Sequence, residues 1–373
     1  MRRSFKQFAV LAAATVAFAA TRPDSDIAFA RHLLDGGQNE PAAFADINRD
    51  GKLDIVSGEN WYEAPSWKRQ HFRKMLFTTN YIDDFSDLTL DLNNDGYPDI
   101  VSCGWFSKSL WWDENPGKGG GEWKRHDIVT GSNIEFCFLV DLDNDGRKRE
   151  ILPQFGNTAT PLAWFEVVNG KPVKHVVAPQ SQGHGIGAGD INKDGKTDIL
   201  TPNGWYEAPG WQFHTDWKLG QTGFLYAHDV NGDGRVDVVT SMAHDYGIFW
   251  LEQPGAAGPW TKHVIDDSWS QSHAMTMADL NGDGRPEFVT GKRYMAHNGK
   301  DPGEREPLGV YWYEYLPQDE KGAVEWVKHV VDYGGRTGGG MQIPVGDVDG
   351  DGDIDFAVAG KSGLFLFENL TRK

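Results

Sequence analysis

Apolar positions along this chain come in short runs, separated by acidic and glycine-containing turns, and never in the long 3.6-period stripes of helices. Asp54-Ile55-Val56, Asp99-Ile100-Val101 and Asp237-Val238-Val239 each follow an acidic loop and read as strands. A following strand carries an aromatic pair closed by an acid in Trp61-Tyr62-Glu63, Trp111-Trp112-Asp113, Trp164-Phe165-Glu166, Trp205-Tyr206-Glu207 and Trp312-Tyr313-Glu314, with Trp250-Leu251-Glu252 and Leu366-Phe367-Glu368 as variants. A further strand with a basic residue, a histidine and apolar neighbours follows, as in Trp260-Thr261-Lys262-His263-Val264 and Trp326-Val327-Lys328-His329-Val330. Each unit therefore predicts four strands, one before the acidic loop and three after it.

The loops repeat the form D-x-[N/D]-x-D-G seven times, at intervals of 45, 50, 49, 39, 50 and 68 residues between their first aspartates. The oxygen-bearing positions are Asp46, Asn48, Asp50 and Asp54; Asp91, Asn93, Asp95 and Asp99; Asp141, Asp143 and Asp145; Asp190, Asn192, Asp194 and Asp198; Asp229, Asn231, Asp233 and Asp237; Asp279, Asn281, Asp283 and Glu287; and Asp347, Asp349, Asp351 and Asp355. Alternate residues of a tight loop point their oxygens at one hard cation, so up to seven structural Ca²⁺ ions are expected. The third loop departs from the pattern, with Arg149 in the last ligand position and Glu150 one place later. An EF-hand is disfavoured, because the first loop has Ser57 at position 12, where a bidentate Glu is needed, and runs into a strand.

Seven units of this size predict an all-β, seven-bladed β-propeller. The last unit stops at Phe367-Glu368 without its fourth strand, and Ala30-Arg31-His32-Leu33-Leu34 has the missing form, so the ring is expected to close by an N-terminal strand that completes the last blade. On these loops and strands the chain resembles the FG-GAP or VCBS repeat family of calcium-binding β-propellers and is similar to the propeller heads of integrin α subunits. The -HGxGxGD- and -SHAMxMAD- strands are also similar to the propeller domain of fungal aldos-2-ulose dehydratases, a resemblance that implies elimination chemistry on sugars.

Arg2, Arg3 and Lys6, the apolar run from Phe8 and the small-x-small triplet Ala17-Phe18-Ala19 read as a signal peptide over residues 1–19, leaving 20–373 as one propeller domain, secreted or periplasmic. No later stretch is continuously apolar, so no membrane span is expected. The two cysteines, Cys103 and Cys137, form either one disulfide or two buried thiols. Net charge is −18; loss of the signal's three positive charges gives −21, and seven Ca²⁺ would return it to −7. That balance excludes a phosphate-backbone binder, so no nucleic acid partner is expected.

Histidines separate repeat from site. Of twelve, His32, His71, His126, His175, His214, His263 and His329 occur once per unit, whereas His184, His228, His244, His273 and His297 are surplus. His184 and His273 stand six residues before their loop aspartates, and Glu40 and Glu135 hold the same register, so all four should ring the axial channel at the end opposite the loops, about 20 Å away along the innermost strand. Connections expected on that face carry Asn60, Asn203, His244 and the insertion beginning Lys292-Arg293-Tyr294 and including His297. His228, next to Asp229, belongs to the loop end.

The candidate catalytic groups are His184, His273, His244 and Tyr294. Glu40, Asn60, Asn203, Lys292, Arg293 and His297 are candidates for substrate binding. Glu135, His184 and His273 are candidate ligands of an additional divalent metal. Signatures of the common hydrolases and kinases are missing from the sequence. The expected function is metal- or His-assisted β-elimination on a carbohydrate or small-molecule substrate, a lyase or dehydratase; the alternative is a noncatalytic adhesion propeller with a protein or glycan partner.

Overall fold

The computed structural model describes residues 26–78, 80–255, 258–317 and 323–372. The signal-peptide segment 1–19 lies outside the described residues. Apart from one short 3-10 turn at Gly117–Gly119, the regular elements are strands, and no helix among the described residues is long and apolar enough to cross a membrane. The strands form sheets in a propeller arrangement, antiparallel but for one pair, and the first strand, Phe29–Asp35, pairs antiparallel with the last, Gly363–Asn369.

The expectation of seven blades is corrected. The chain forms five four-stranded blades, one eight-stranded sheet and a two-stranded ribbon of Phe77–Thr78 with Tyr81–Ile82. In the large sheet Ile186–Gly189 runs parallel to Thr222–His228, with Gly187 opposite Leu225. Glycine causes the merger: a Cβ on Gly187 would lie 1.9 Å from the Leu225 carbonyl oxygen, and one on Gly189 would lie 2.4 Å from Ala227 Cβ. Without side chains at these two positions, innermost strands that elsewhere stand apart approach closely enough to hydrogen-bond. The -HGxGxGD- pattern is thus accounted for by packing.

The once-per-unit residues build one recurring contact. Trp112, Trp164, Trp205, Trp250 and Trp312 are buried and lie directly across from His126, His175, His214, His263 and His329. Each imidazole stacks on its indole at 3.6–4.5 Å between centroids. His126, His175, His214 and His263 also meet Glu114, Glu166, Glu207 and Glu252 at 2.7–2.8 Å. The Trp-x-Glu spacing follows from strand period, since residues two apart share a face. In the second unit the pair is therefore Trp112 with Glu114, one place beyond the acid expected from sequence. His32 meets Glu368 at 2.7 Å across the first and last strands.

Candidate functional site

The acidic loops share one internal geometry. In the first, the Asp50 and Gly51 amides donate to the two oxygens of Asp46, and the Ile47 and Ala64 amides donate to Asp54. The last loop acid is thereby locked between loop and strand, and the same bonds recur at Asp99, Asp198, Asp237 and Asp355. Burial, with the neighbouring loop carboxylates, raises Asp54, Asp99, Asp198 and Asp355 to about 6 and Asp237, Glu150 and Glu287 to about 7. Carboxylate oxygens retain lone pairs beyond these bonds, and Asp279, Asp283 and Glu287, or Asp347, Asp349 and Asp351, bring three within 4.8 Å of one another, a donor set that fits a hard cation.

The irregular third loop is resolved by its register. Glu150 pairs with Val140 and accepts the Leu142 amide, as the ninth-position aspartates do elsewhere, and it joins Asp141 and Asp143. One extra residue in the loop moves the acid along by one place, leaving Arg149 to reach Asn94 of the preceding loop.

The other site lies where innermost strands begin. Glu135 is the second residue of Ile134–Val140, His184 precedes Ile186–Gly189, His244 follows Asp237–Met242, and His273 is the second residue of Ser272–Ala278. Glu135 and His273 both fall at register shifts: pairing skips from Ile134 to Phe136, and from Ser272 to Met275. Such bulges release a residue from strict alternation and re-aim its side chain. Gln271, with φ of 69°, accepts the backbone amides of both His273 and Arg293 on its carbonyl and ties the two together.

Glu135, His184, His244 and His273 therefore converge, with ligating atoms all within 4.8 Å of one another. Glu135 Oε2 is 2.9 Å from His184 Nε2, and Oε1 is 3.2 Å from His273 Nε2 and 4.0 Å from His244 Nε2. His244 meets Asp301 at 2.9 Å, and His297 meets the other oxygen of Asp301 at 2.9 Å while stacking on the His244 ring. Arg293 is buried between Glu40, 3.2 Å from Nε, and Glu135, 3.5 Å from Nη1; its Nη2 has no partner. Four of the five surplus histidines thus meet here, whereas His228 sits apart against Tyr315.

Burial and neighbouring charge set the protonation pattern. Burial lowers His273 to about 3, assisted by the Arg293 charge, and holds His244 well below the usual imidazole range. Burial opposes charge on Glu135, but His184 and His273 outweigh it and hold the carboxylate well below its ordinary value. For His184 burial is likewise outweighed, by Glu135, so its pKa rises.

Two cavities open on this cluster. One, of about 600 Å³, is lined by Tyr81, Phe85, Trp105, Phe106, Arg293 and His297 among others; the second, of about 480 Å³, reaches Asn203, His184 and His244. Glu135, Trp105 and His297 line both. A Cβ on Gly156 would lie 2.2 Å from the Trp105 ring, so glycine there lets the indole approach the backbone closely.

The other residues singled out from sequence are placed elsewhere. Lys292 is buried against Ser270 and is 3.7 Å from Glu306; Tyr294 is 39% exposed; Asn60 pairs with His71; and none of the three lines either cavity. Glu40 lies beneath Arg293, with Lys361 Nζ 3.9 Å away. Asp301, Tyr81, Trp105, Gln271 and Lys361 were not visible as site residues, since none belongs to a repeated position or a recognisable motif.

Among solved structures, the fold is similar to BBS1N in complex with ARL6DN, at 12% identity over 93% of this chain and 98% of that one, TM-score 0.59. It is also similar to the exotype rhamnogalacturonan lyase YesX, at 11% identity over 91% and 72% of the two chains, TM-score 0.51. The Bacillus licheniformis rhamnogalacturonan lyase PL11 matches at 10% identity over 91% and 75%, TM-score 0.50. No curated protein sequence matches. The FG-GAP-like repeat family matches residues 91–148 and 229–290, spanning the second and third acidic loops and then the fifth and sixth. The chain is a propeller that contains FG-GAP-like repeats in these two stretches.

Proposed function

We propose that this propeller is a carbohydrate-acting enzyme that cleaves or dehydrates an acidic sugar by β-elimination at the mouth of the channel. The observation that carries the reading is a cavity lined by Arg293, Glu135, His297 and the rings of Tyr81, Phe85, Trp105 and Phe106, in which the Arg293 guanidinium still has one buried nitrogen, Nη2, without a partner. A guanidinium in that position suits a carboxylate, and aromatic walls suit the faces of a sugar ring. The fold it shares with rhamnogalacturonan lyases agrees with this reading.

In the proposed step, Arg293 holds the substrate carboxylate and stabilises charge that builds on it as the α-carbon loses its proton. His297, half-exposed in the cavity and oriented by Asp301, takes that proton. The carbon–hydrogen electron pair becomes the new double bond, the β carbon–oxygen bond breaks, and the leaving oxygen receives the Tyr81 phenol proton. Burial raises Tyr81 to about 12, which keeps it protonated and able to donate. Solvent then removes the proton from His297 and returns one to Tyr81.

The test is release of unsaturated sugar product, followed by ultraviolet absorbance, from rhamnogalacturonan and other polyuronides. Tyr81→Phe and His297→Ala should each lower turnover about 10²–10⁴-fold, and an inert wild type across such a panel sinks the reading. The acidic loops are proposed to hold calcium that stiffens the opposite face; at a calcium concentration 100 times its Kd, each occupied site would contribute about 2.7 kcal/mol. Chelation should therefore lower the melting temperature. A second reading, a protein-binding propeller, is favoured by the 0.59 TM-score to BBS1N, a propeller solved with a protein partner; it predicts no loss of function on changing Tyr81 or His297.

A further inference from the structure

We propose that His184, His244, His273 and Glu135 form a dedicated site for one divalent transition-metal ion of the zinc type, separate from the calcium-type loops. The site adjoins the reaction centre of the preceding reading through Glu135, Arg293 and Asp301 and rests on that reading, but its binding test needs no substrate.

Hydrogen bonding fixes the tautomers of His184 and His244. His184 Nδ1 is 2.7 Å from the Thr222 carbonyl oxygen, which can only accept, so that nitrogen carries the hydrogen. His244 Nδ1 faces the Asp301 carboxylate at 2.9 Å, with the same consequence. Both Nε2 atoms then present lone pairs, and they face one another at 3.1 Å. The two Glu135 oxygens, also acceptors, close the group at 2.9 and 3.2 Å from His184 and His273. His273 Nδ1 has no partner, so its hydrogen is free to sit there and leave Nε2 as a third lone pair; in that arrangement three Nε2 atoms and the Glu135 carboxylate face one point, and a single cation satisfies them together.

The spacing agrees. Donors placed tetrahedrally at zinc–nitrogen bond lengths lie about 3.3 Å apart, and the distances here run from 2.9 to 4.0 Å. The three rings stand at 77–81° to one another with centroids 4.7–5.4 Å apart, so their edges meet. Thr222 and Asp301 occupy the outer positions that usually orient metal-binding imidazoles, and Asp301 is itself held by His297. Phe136 packs edge-on against His184 and His273 as an apolar floor. Three imidazoles select a borderline metal over calcium, which prefers oxygen.

The test is calorimetric titration of zinc into the chelated full chain in buffer with saturating calcium. The expected result is one tight event per chain, absent from His273→Ala and weakened about 10–100-fold in Asp301→Asn. Cobalt(II) added to the wild type should give the visible bands of a tetrahedral nitrogen-rich site, discharged by zinc, a readout that needs no variant to fold. Absence of both the tight event and the cobalt bands in the wild type, or an unchanged event in a folded His273→Ala protein, overturns the proposal. Zinc binding without turnover would sink only the lyase reading, whereas turnover that survives chelation with no zinc event would sink only this one.

Discussion

Histidine is used in two ways in this molecule, and the contrast locates the site. On the blades, His126, His175, His214 and His263 each have a private glutamate and lie flat on a private tryptophan, partly open to solvent. At the second site, His184, His244 and His273 share one glutamate and lie nearly perpendicular to one another; His244 and His273 are buried, His184 is nearly so, and Phe136 lies beneath two of the rings. In the first setting each imidazole is satisfied in its own pair. In the second, unsatisfied lone pairs are concentrated in one place, which packing alone does not require.

The largest expected effect that sharpens this contrast is on turnover. His273→Ala, which removes a ligand of the proposed metal, should lower it to near background, measured by ultraviolet product release, while the melting curve remains cooperative. Next, Trp312→Ala removes the platform of a repeat histidine and should destabilise the fold by about 3–5 kcal/mol, read by denaturant unfolding, with zinc stoichiometry per folded chain unchanged. Asp301→Asn should follow, raising the zinc Kd about 10–100-fold with little change in unfolding midpoint. Smallest is His263→Ala, which loses a partly exposed ion pair worth less than about 1 kcal/mol and should leave turnover as it was.

Strand order within units, the acidic loops and the pairing of the first strand with the last were legible because each follows from local period or repetition. The number of blades was not. Two glycines, Gly187 and Gly189, allow strands of successive units to merge, and glycine at a strand position does not announce whether another backbone will approach. Much of the channel site was legible for the opposite reason: subtracting the repeated histidines left His184, His244, His273 and His297. Register then placed Glu135 beside them. Asp301 and Tyr81 were not legible, because one lies in an irregular insertion and the other in a two-residue strand, where no period constrains the direction of a side chain. Tyr294, chosen from the same insertion, is exposed for the same reason.

The most direct measurement of the central claim, that chemistry sits where the histidine repeat is broken, compares unsaturated-product release from rhamnogalacturonan by zinc-loaded wild type, His263→Ala and His273→Ala. The account predicts that the blade variant matches the wild type and that the channel variant falls to near background. Equal rates from all three, or an equal fall in both variants, would contradict it.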